Sequence, residues 1–180
     1  MNNKFRLPAL ALAAFSLSGC AALSKHPVGN VAVPQPAKSV ELSRYLGRWY
    51  ELARYEQGFQ KDCEGVTADY ALRADGNISV LNKCRKPDGK LKDANGKAKI
   101  VDTATGAKLK VSFFGPFYGD YWVLDRAEDY SWSIVGEPSG RYLWILSREA
   151  QPGQAKLDAL IGRAKALGYD TSMLRITKQP

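Results

Sequence analysis

Short runs in which apolar and polar side chains alternate constrain the fold of this chain more than any other feature. From Val66 to Leu72 nearly every second side chain is large and apolar, and the Asp75-Gly76-Asn77 triplet that follows is typical of a hairpin turn. Similar runs recur along the chain, and breaks that contain Gly, Asp or Pro separate nearly all of them. The runs predict eight strands, at residues 49–55, 66–72, 78–82, 97–103, 107–113, 120–126, 131–137 and 141–148.

Eight strands within about a hundred residues leave no room for the crossover connections that parallel strands require. Neighbouring strands must therefore be joined as hairpins, and closing such a meander removes its exposed edges. The sequence predicts an all-β fold, an eight-stranded antiparallel up-and-down barrel that is either packed full or holds one small ligand. A β-sandwich is the structural alternative.

The apolar period changes to three and four residues between residues 154 and 167, where Leu157, Leu160, Ile161 and Ala164 share one face. This pattern predicts one C-terminal α-helix packed on the barrel wall, with Gly168 as its C-terminal cap. Residues 173–177 are a candidate for a short ninth strand.

The N-terminus has the pattern of an export signal. Lys4 and Arg6 precede an apolar run over residues 7–17, which is too short to span a bilayer as a helix. Leu17-Ser18-Gly19-Cys20 then resembles the bacterial lipobox, which predicts cleavage before Cys20 and attachment of lipid to that residue. An ordinary secretory signal with an incidental cysteine is the alternative.

This reading divides the chain into a signal peptide at 1–19, a lipidated tether at 20–38 and a folded domain at 39–180. The tether contains three prolines and has no apolar period. Ala21, and no aspartate, follows the cysteine, which by resemblance to bacterial sorting rules favours the outer membrane.

The formal net charge is +8 for the whole chain, and it falls to +6 when Lys4 and Arg6 are removed with the signal peptide. An exported lipoprotein rarely meets nucleic acid, so no nucleic-acid partner is expected. Nine Lys or Arg residues lie between Lys83 and Lys110. They form either an ordinary solvated surface or a surface attracted to anionic lipid headgroups.

The remaining cysteines, Cys63 and Cys84, are an even pair in an oxidising compartment, which predicts a disulfide. Such a bridge closes a loop of about 22 residues and is worth about 3 kcal/mol in the chain-entropy model. No metal site or cofactor is expected, because the single histidine, His26, lies in the tether and the cysteines lack zinc-ligand spacing. No Ser/His or Cys/His arrangement supports an enzyme.

Two motifs resemble the lipocalin family. Gly47-Arg48-Trp49-Tyr50 is similar to the family's G-x-W-[YF] signature, and Arg148 resembles the arginine that ends its last barrel strand. Residues 110–123 are similar to the corresponding stretch of bacterial lipocalins, which are outer-membrane lipoproteins. The resemblance covers residues 42–177 and the lipobox.

The resemblance implies that Arg148 lies over Trp49 and, with Gly47, closes the barrel floor. It also implies a fatty acid or lysophospholipid ligand, a role in envelope maintenance, a periplasm-facing lipid anchor and a homodimer. Two alternatives remain: a binder of a pigment or tetrapyrrole, and a ligand-free envelope interaction protein.

Aromatic and aliphatic side chains of the predicted strands, and of the loop between Phe114 and Gly119, are the candidates for ligand contact. They are Tyr70, Leu109, Val111, Phe113, Phe117, Tyr121 and Trp144. The segment from Phe114 to Gly119 places three aromatic residues around a Gly-Pro turn. We expect it to line the cavity mouth, to meet the membrane or to form a subunit contact.

Overall fold

A computed structural model describes residues 29–180 of the chain, and they form one closed antiparallel sheet. The strands are β1 (Gly47–Tyr55), β2 (Glu64–Leu72), β3 (Ile78–Arg85), β4 (Leu91–Ile100), β5 (Lys108–Phe114), β6 (Phe117–Arg126), β7 (Trp132–Gly136), β8 (Leu143–Ser147) and β9 (Leu174–Ile176). The helices are α1 (Leu42–Tyr45) and α2 (Gln154–Ala166), with 3₁₀ turns at Gly58–Gln60 and Thr171–Met173.

Each strand from β1 to β8 pairs antiparallel with the next, and β8 pairs back onto β1. This closure confirms the predicted eight-stranded up-and-down barrel and excludes the sandwich. The short β9 extends the sheet by pairing with β1, as the C-terminal pattern suggested.

The predicted bounds of one strand were wrong. The alternation indicated residues 97–103, whereas β4 runs from Leu91 to Ile100. Residues 91–97 lack a regular apolar face, but their backbone pairs continuously with β3 from Leu91 opposite Arg85 onward. Ladder hydrogen bonds therefore extend this hairpin beyond the reach of the side-chain pattern.

Because neighbouring strands run in opposite directions, their connections lie at two opposite ends of the barrel. The end that carries residues 56–63, 86–90, 115–116 and 137–142 is here called the mouth, and the other end, which α1 covers, is called the floor. The Cys63–Cys84 disulfide, with Cα atoms 5.4 Å apart, ties the β1–β2 connection to β3 on the mouth side, which confirms the predicted pairing.

Helix α2 packs on the outside of the barrel, as predicted. Its Leu160 and Ala164 side chains are buried in a cluster with the outward faces of β1, β6, β7 and β8. Gly168 follows the helix at φ +92°, a left-handed conformation that L side chains rarely adopt. None of the helices in residues 29–180 is long and apolar enough to cross a membrane.

The described part of the expected tether lies against the barrel. Val31 donates its backbone N–H to Gly168 O at 3.2 Å, and Ala37 donates to Leu124 O at 2.7 Å. Pro34 is buried between these contacts. The signal peptide and Cys20 lie outside the described residues, so the lipid anchor remains a prediction.

Candidate binding site inside the barrel

The floor is closed by a stacked arginine. The Arg148 guanidinium lies 3.7 Å from the centroid of the Trp49 ring, and Trp49 is fully buried. Trp49 in turn donates its indole N–H to Tyr45 O at 2.9 Å. A guanidinium on an indole face contributes about 0.5–2 kcal/mol.

Arg148 also satisfies the end of helix α1. Its two terminal nitrogens donate to the carbonyls of Arg44, Tyr45, Leu46 and Arg48, at 2.6 to 3.1 Å. Carbonyls at a helix C-terminus have no intrahelical partner, so these bonds hold α1 across the barrel end. Gly47 links α1 to β1 at φ +92°, a conformation available to glycine without strain.

Four of the predicted ligand residues come together on the inner wall. Tyr70, Leu109, Val111 and Tyr121 line one apolar cavity near the floor. The volume open to the centre of a water molecule is about 10 Å³, which is room for about one water. The floor half of the barrel is therefore nearly filled by side chains. The other residues that line this cavity are Leu42, Tyr45, Ile78 and Ala98.

Two further candidates lie on the same inner wall. Phe113 and Trp144 pack against the core and are only half-buried. Gly96 faces the Phe113 ring so closely that a Cβ atom there would meet it at 2.8 Å. Inward-facing aromatic area thus remains accessible in the upper part of the barrel.

Phe117 does not join this group. Its side chain is 77% exposed, at the start of β6 beside the Gly115-Pro116 turn. The β5–β6 hairpin ends there, so no facing strand covers it. The prediction that it contacts a ligand inside the barrel has no support in this arrangement.

Three tyrosine hydroxyls meet beside the cavity. Tyr121 Oη lies 3.0 Å from Tyr45 Oη and 2.9 Å from Tyr70 Oη, and Tyr45 Oη lies 3.2 Å from Ser133 Oγ. Burial raises the pKa of each of the three phenols, so all three stay protonated at neutral pH. Three bonds use three of the four hydroxyl protons, which leaves one proton free to donate.

A charged pair is buried beside the inner wall. Arg54, which is fully buried, donates to Glu51 Oε1 at 2.7 Å and to Thr177 Oγ1 at 2.9 Å. Burial raises the pKa of Glu51, although the Arg54 charge opposes that shift. Gln60 bridges the Glu51 carboxylate to the Trp144 indole, so this pair reaches the aromatic wall.

Sequence patterns did not identify Tyr45, Arg54 or Gln60. Tyr45 lies in a helix of four residues, too short to show periodicity. Arg54 turns inward because of an irregularity in the β1–β8 register between Glu51 and Ala53, which shifts the side-chain alternation. Gln60 belongs to a loop. Ile78, which also lines the cavity, was predicted to lie on a strand but was not named as a site residue.

The side chains inside the barrel are arranged in a way that suits the binding of a ligand. Among residues 29–180 no group of three or more His, Cys, Asp or Glu side chains has the geometry of a metal site. The interior instead presents an apolar wall, protonated hydroxyls and one compensated ion pair. Outside the barrel, a groove of about 170 Å³ lies between the start of α2 and the C-terminal strand.

The closed barrel, the stacked Arg148 and the external helix agree with a comparison of the sequence with family models, in which residues 40–179 match the lipocalin-like domain. The chain belongs to the lipocalin family. Lipocalins bind small hydrophobic molecules and are not, as a family, enzymes.

Two relatives match over nearly the whole chain. The outer membrane lipoprotein Blc of Vibrio cholerae is 44% identical over 163 residues, which cover 89% of this chain and 95% of the relative. The protein of the same name from Escherichia coli K12 is 40% identical over 175 residues, covering 97% and 96%. The tobacco hornworm insecticyanin structure, at 20% identity and a TM-score of 0.65 over 83% of this lipocalin and 85% of that chain, shares the fold.

Proposed function

We propose that this lipocalin is a lipid-anchored protein of the bacterial outer membrane that binds single-chain amphiphiles, fatty acids or lysophospholipids. The observation that carries the proposal is the accessible apolar inner wall above the floor. Val111, Phe113, Tyr121 and Trp144 all pack against the core from the inside, yet each is only half-buried. A ligand that covers this area gains free energy as its own apolar surface leaves water.

An acyl chain fits this wall better than a compact ligand. Each methylene that is buried contributes about 0.8 kcal/mol, so a long chain compensates for its loss of freedom. Because the floor half is nearly filled, the chain lies against Phe113 and Trp144 in the mouth half. The polar head of a fatty acid or lysophospholipid then stays at the mouth, in water.

The location follows from the lipobox at Cys20 and from the relatives, which are named outer membrane lipoproteins. Two or more acyl chains attach a protein stably to a bilayer, where one chain alone is marginal. We place the domain on the periplasmic side, where it supplies or removes single-chain lipids during envelope maintenance.

One observation favours a second candidate, a ligand-free envelope interaction protein. A cavity of about 10 Å³ is what a barrel with a permanently filled interior contains. The two candidates differ in whether the mouth half takes up a lipid.

Native mass spectrometry of residues 29–180 distinguishes the two candidates, after circular dichroism has shown that this fragment is folded. The protein is mixed with lysophospholipid, with free fatty acid and with haem. We expect a one-to-one complex with each single-chain lipid. V111W adds a bulky side chain to the accessible inner wall, at the next inward position from Phe113, and should deplete the complex, whereas K110W, its outward neighbour, should not.

Other results contradict the proposal. A haem complex without lipid complexes favours a tetrapyrrole binder, and no adduct with an intact fold favours the interaction protein. Equal depletion by V111W and K110W, or by neither, places the ligand outside the barrel, for which the groove beside α2 is the candidate.

A further inference from the structure

The exposed aromatic residues of the described chain are concentrated at one end of the barrel. Phe59, Phe114 and Phe117 are 59%, 82% and 77% exposed, and all three belong to the β1–β2 and β5–β6 hairpins at the mouth. Leu91, 74% exposed, adds an aliphatic side chain from the β3–β4 hairpin. These four residues are here called the mouth rim. Exposed apolar side chains grouped in this way mark a surface that contacts another molecule or a membrane.

Basic side chains surround the mouth rim. Lys92 and Lys86 reach over the β1–β2 connection, where Lys92 Nζ donates to Phe59 O at 3.1 Å and Lys86 Nζ donates to Lys61 O. Within residues 29–180 neither lysine, nor Lys61 or Arg141, has a carboxylate within 4 Å. Their charges are therefore available to an external anion.

The nearby acids are already engaged. Asp88 pairs with Lys90 at 3.1 Å, and Asp62 lies 3.6 Å from Arg175. The Glu137 carboxylate accepts backbone N–H groups of Ser139 and Arg141 within its own loop. The mouth thus presents unpaired cations beside apolar side chains.

The floor has the opposite character. Its three connections, residues 73–77, 101–107 and 127–131, contain four carboxylates and one arginine. The four mouth connections contain four carboxylates and four basic residues. The floor connections therefore carry a net negative charge, whereas the mouth connections are neutral and Lys92 at the start of β4 adds a positive charge beside them. An anionic surface is consequently repelled less by the mouth end than by the floor end.

The N-terminal segment enters the fold at the mouth. Gly29 O accepts the Tyr55 hydroxyl at 2.8 Å, at the mouth end of β1, and a Cβ atom on Gly29 would lie 3.1 Å from Gly140 O in the β7–β8 connection. Cys20 and Gly29 are nine residue steps apart, a reach of about 30 Å. Strands of nine or ten residues make the barrel itself about 25–30 Å tall. A chain anchored at Cys20 would have to run almost fully extended along the whole barrel to present the floor to the membrane, whereas the mouth already lies beside Gly29.

We propose that the mouth rim docks on the surface of an anionic lipid bilayer, with its phenylalanines in the headgroup region and the neighbouring lysines on lipid phosphates. The argument from tether length rests on the lipid anchor at Cys20, which is part of the proposed function. The arguments from the mouth rim and from the basic side chains do not depend on that anchor. Docking places the accessible inner wall directly over the lipid that it takes up. Basic residues add attraction to anionic lipids, and aromatic residues are suited to the interface.

The test uses the full chain, reconstituted through its own N-terminus into vesicles that contain dibrominated lipids as quenchers. F114W adds an indole to the rim, and L72W adds one at the floor end, where Leu72 is 60% exposed. The fluorescence of the native tryptophans is measured on the unchanged chain and subtracted from that of each variant. With about 30% anionic lipid we expect quenching of the F114W indole to exceed that of L72W at least about twofold. K86Q with K92Q should remove most of the dependence on anionic lipid.

Equal quenching of F114W and L72W overturns the proposal. A second result also overturns it. If the F114W indole becomes shielded from water in the absence of vesicles as the protein concentration rises, the mouth rim is a contact between two copies of the chain. Lysophospholipid binding by F114W is measured without vesicles in parallel. Binding without quenching refutes docking alone, and quenching without binding refutes the proposed function alone.

Discussion

The guanidinium of Arg148 lies over the indole of Trp49 at the barrel end, 3.7 Å from charge centre to ring centroid. They are ninety-nine positions apart in sequence. Through this contact the last barrel strand holds the first one, and the same guanidinium secures α1 by its carbonyls. One side chain therefore supports the β8–β1 pairing that closes the barrel and also seals the floor.

We expect R148K to lower the free energy of unfolding by about 1–3 kcal/mol, because lysine cannot both cover the indole and donate to several carbonyls. Urea unfolding followed by circular dichroism measures the change. R141A is the control, since Arg141 is exposed on a mouth loop, and it should stay within about 0.5 kcal/mol. An R148K midpoint equal to that of the unchanged chain contradicts this role.

Replacing both bridged cysteines, as C63S with C84S, should cost about 3 kcal/mol of stability through the greater entropy of the unfolded chain. The bridge lies beside the wall and not on it, so affinity for lysophospholipid should change less than about threefold. Thermal unfolding with and without a reductant, together with a lipid titration, measures both. A loss of binding in a folded double variant shows that the bridge shapes the site.

Y121F removes the central hydroxyl of the tyrosine cluster and leaves Tyr45 and Tyr70 without their shared partner. The expected cost is about 1–2 kcal/mol, because the buried Tyr70 hydroxyl loses its partner while Tyr45 keeps only Ser133. Y118F is the matched control, because Tyr118 lies on the outer face beneath Lys97 and Lys99. Equal midpoints for the two variants in urea unfolding argue against a structural cluster.

Glu56 makes stability depend on pH in the acid range. Burial raises the pKa of its carboxyl, but hydrogen bonds and charge from Arg175 and Arg54 outweigh that effect and leave the pKa below its usual 4.5. A lowered pKa in the folded state gives stability that is present above pH 4.5 and is lost as pH falls through the lowered value.

E56Q should therefore be less stable than the unchanged chain at pH 7 by about 1 kcal/mol or less, and the gap should shrink as the pH falls below 4.5. Urea midpoints at several pH values give the comparison. E149Q, which removes a surface carboxylate whose partner is Lys156 at 3.3 Å, is the control for the general effect of losing one negative charge. If the stability difference between E56Q and the unchanged chain grows as the pH falls, the inference that folding lowers the pKa of Glu56 is wrong.

Much of the barrel could be predicted because strand alternation is a local property. Val66 to Leu72 lies on β2 as the pattern indicated, and Leu109 and Val111 both line the cavity. The ligand role of Phe117 stays a prediction, and its exposure was not visible in the sequence, because alternation names a face but does not show where the facing strand ends. The inward turn of Arg54 was invisible for a similar reason, since an irregularity in register has no signature in side-chain polarity.

The sequence by itself determined the number and order of the strands, the external helix, the Cys63–Cys84 pair and the export pattern ahead of Cys20, since each depends on residues close in the chain or on composition. Tertiary structure alone decided that the interior is nearly full near the floor, that three tyrosine hydroxyls meet there, and that exposed phenylalanines, free lysines and the entry of the N-terminal segment share one end of the barrel. The physical reason is closure. Once β8 pairs with β1, residues far apart in sequence face one small interior and one rim, and packing within that shared volume depends on all the strands at once.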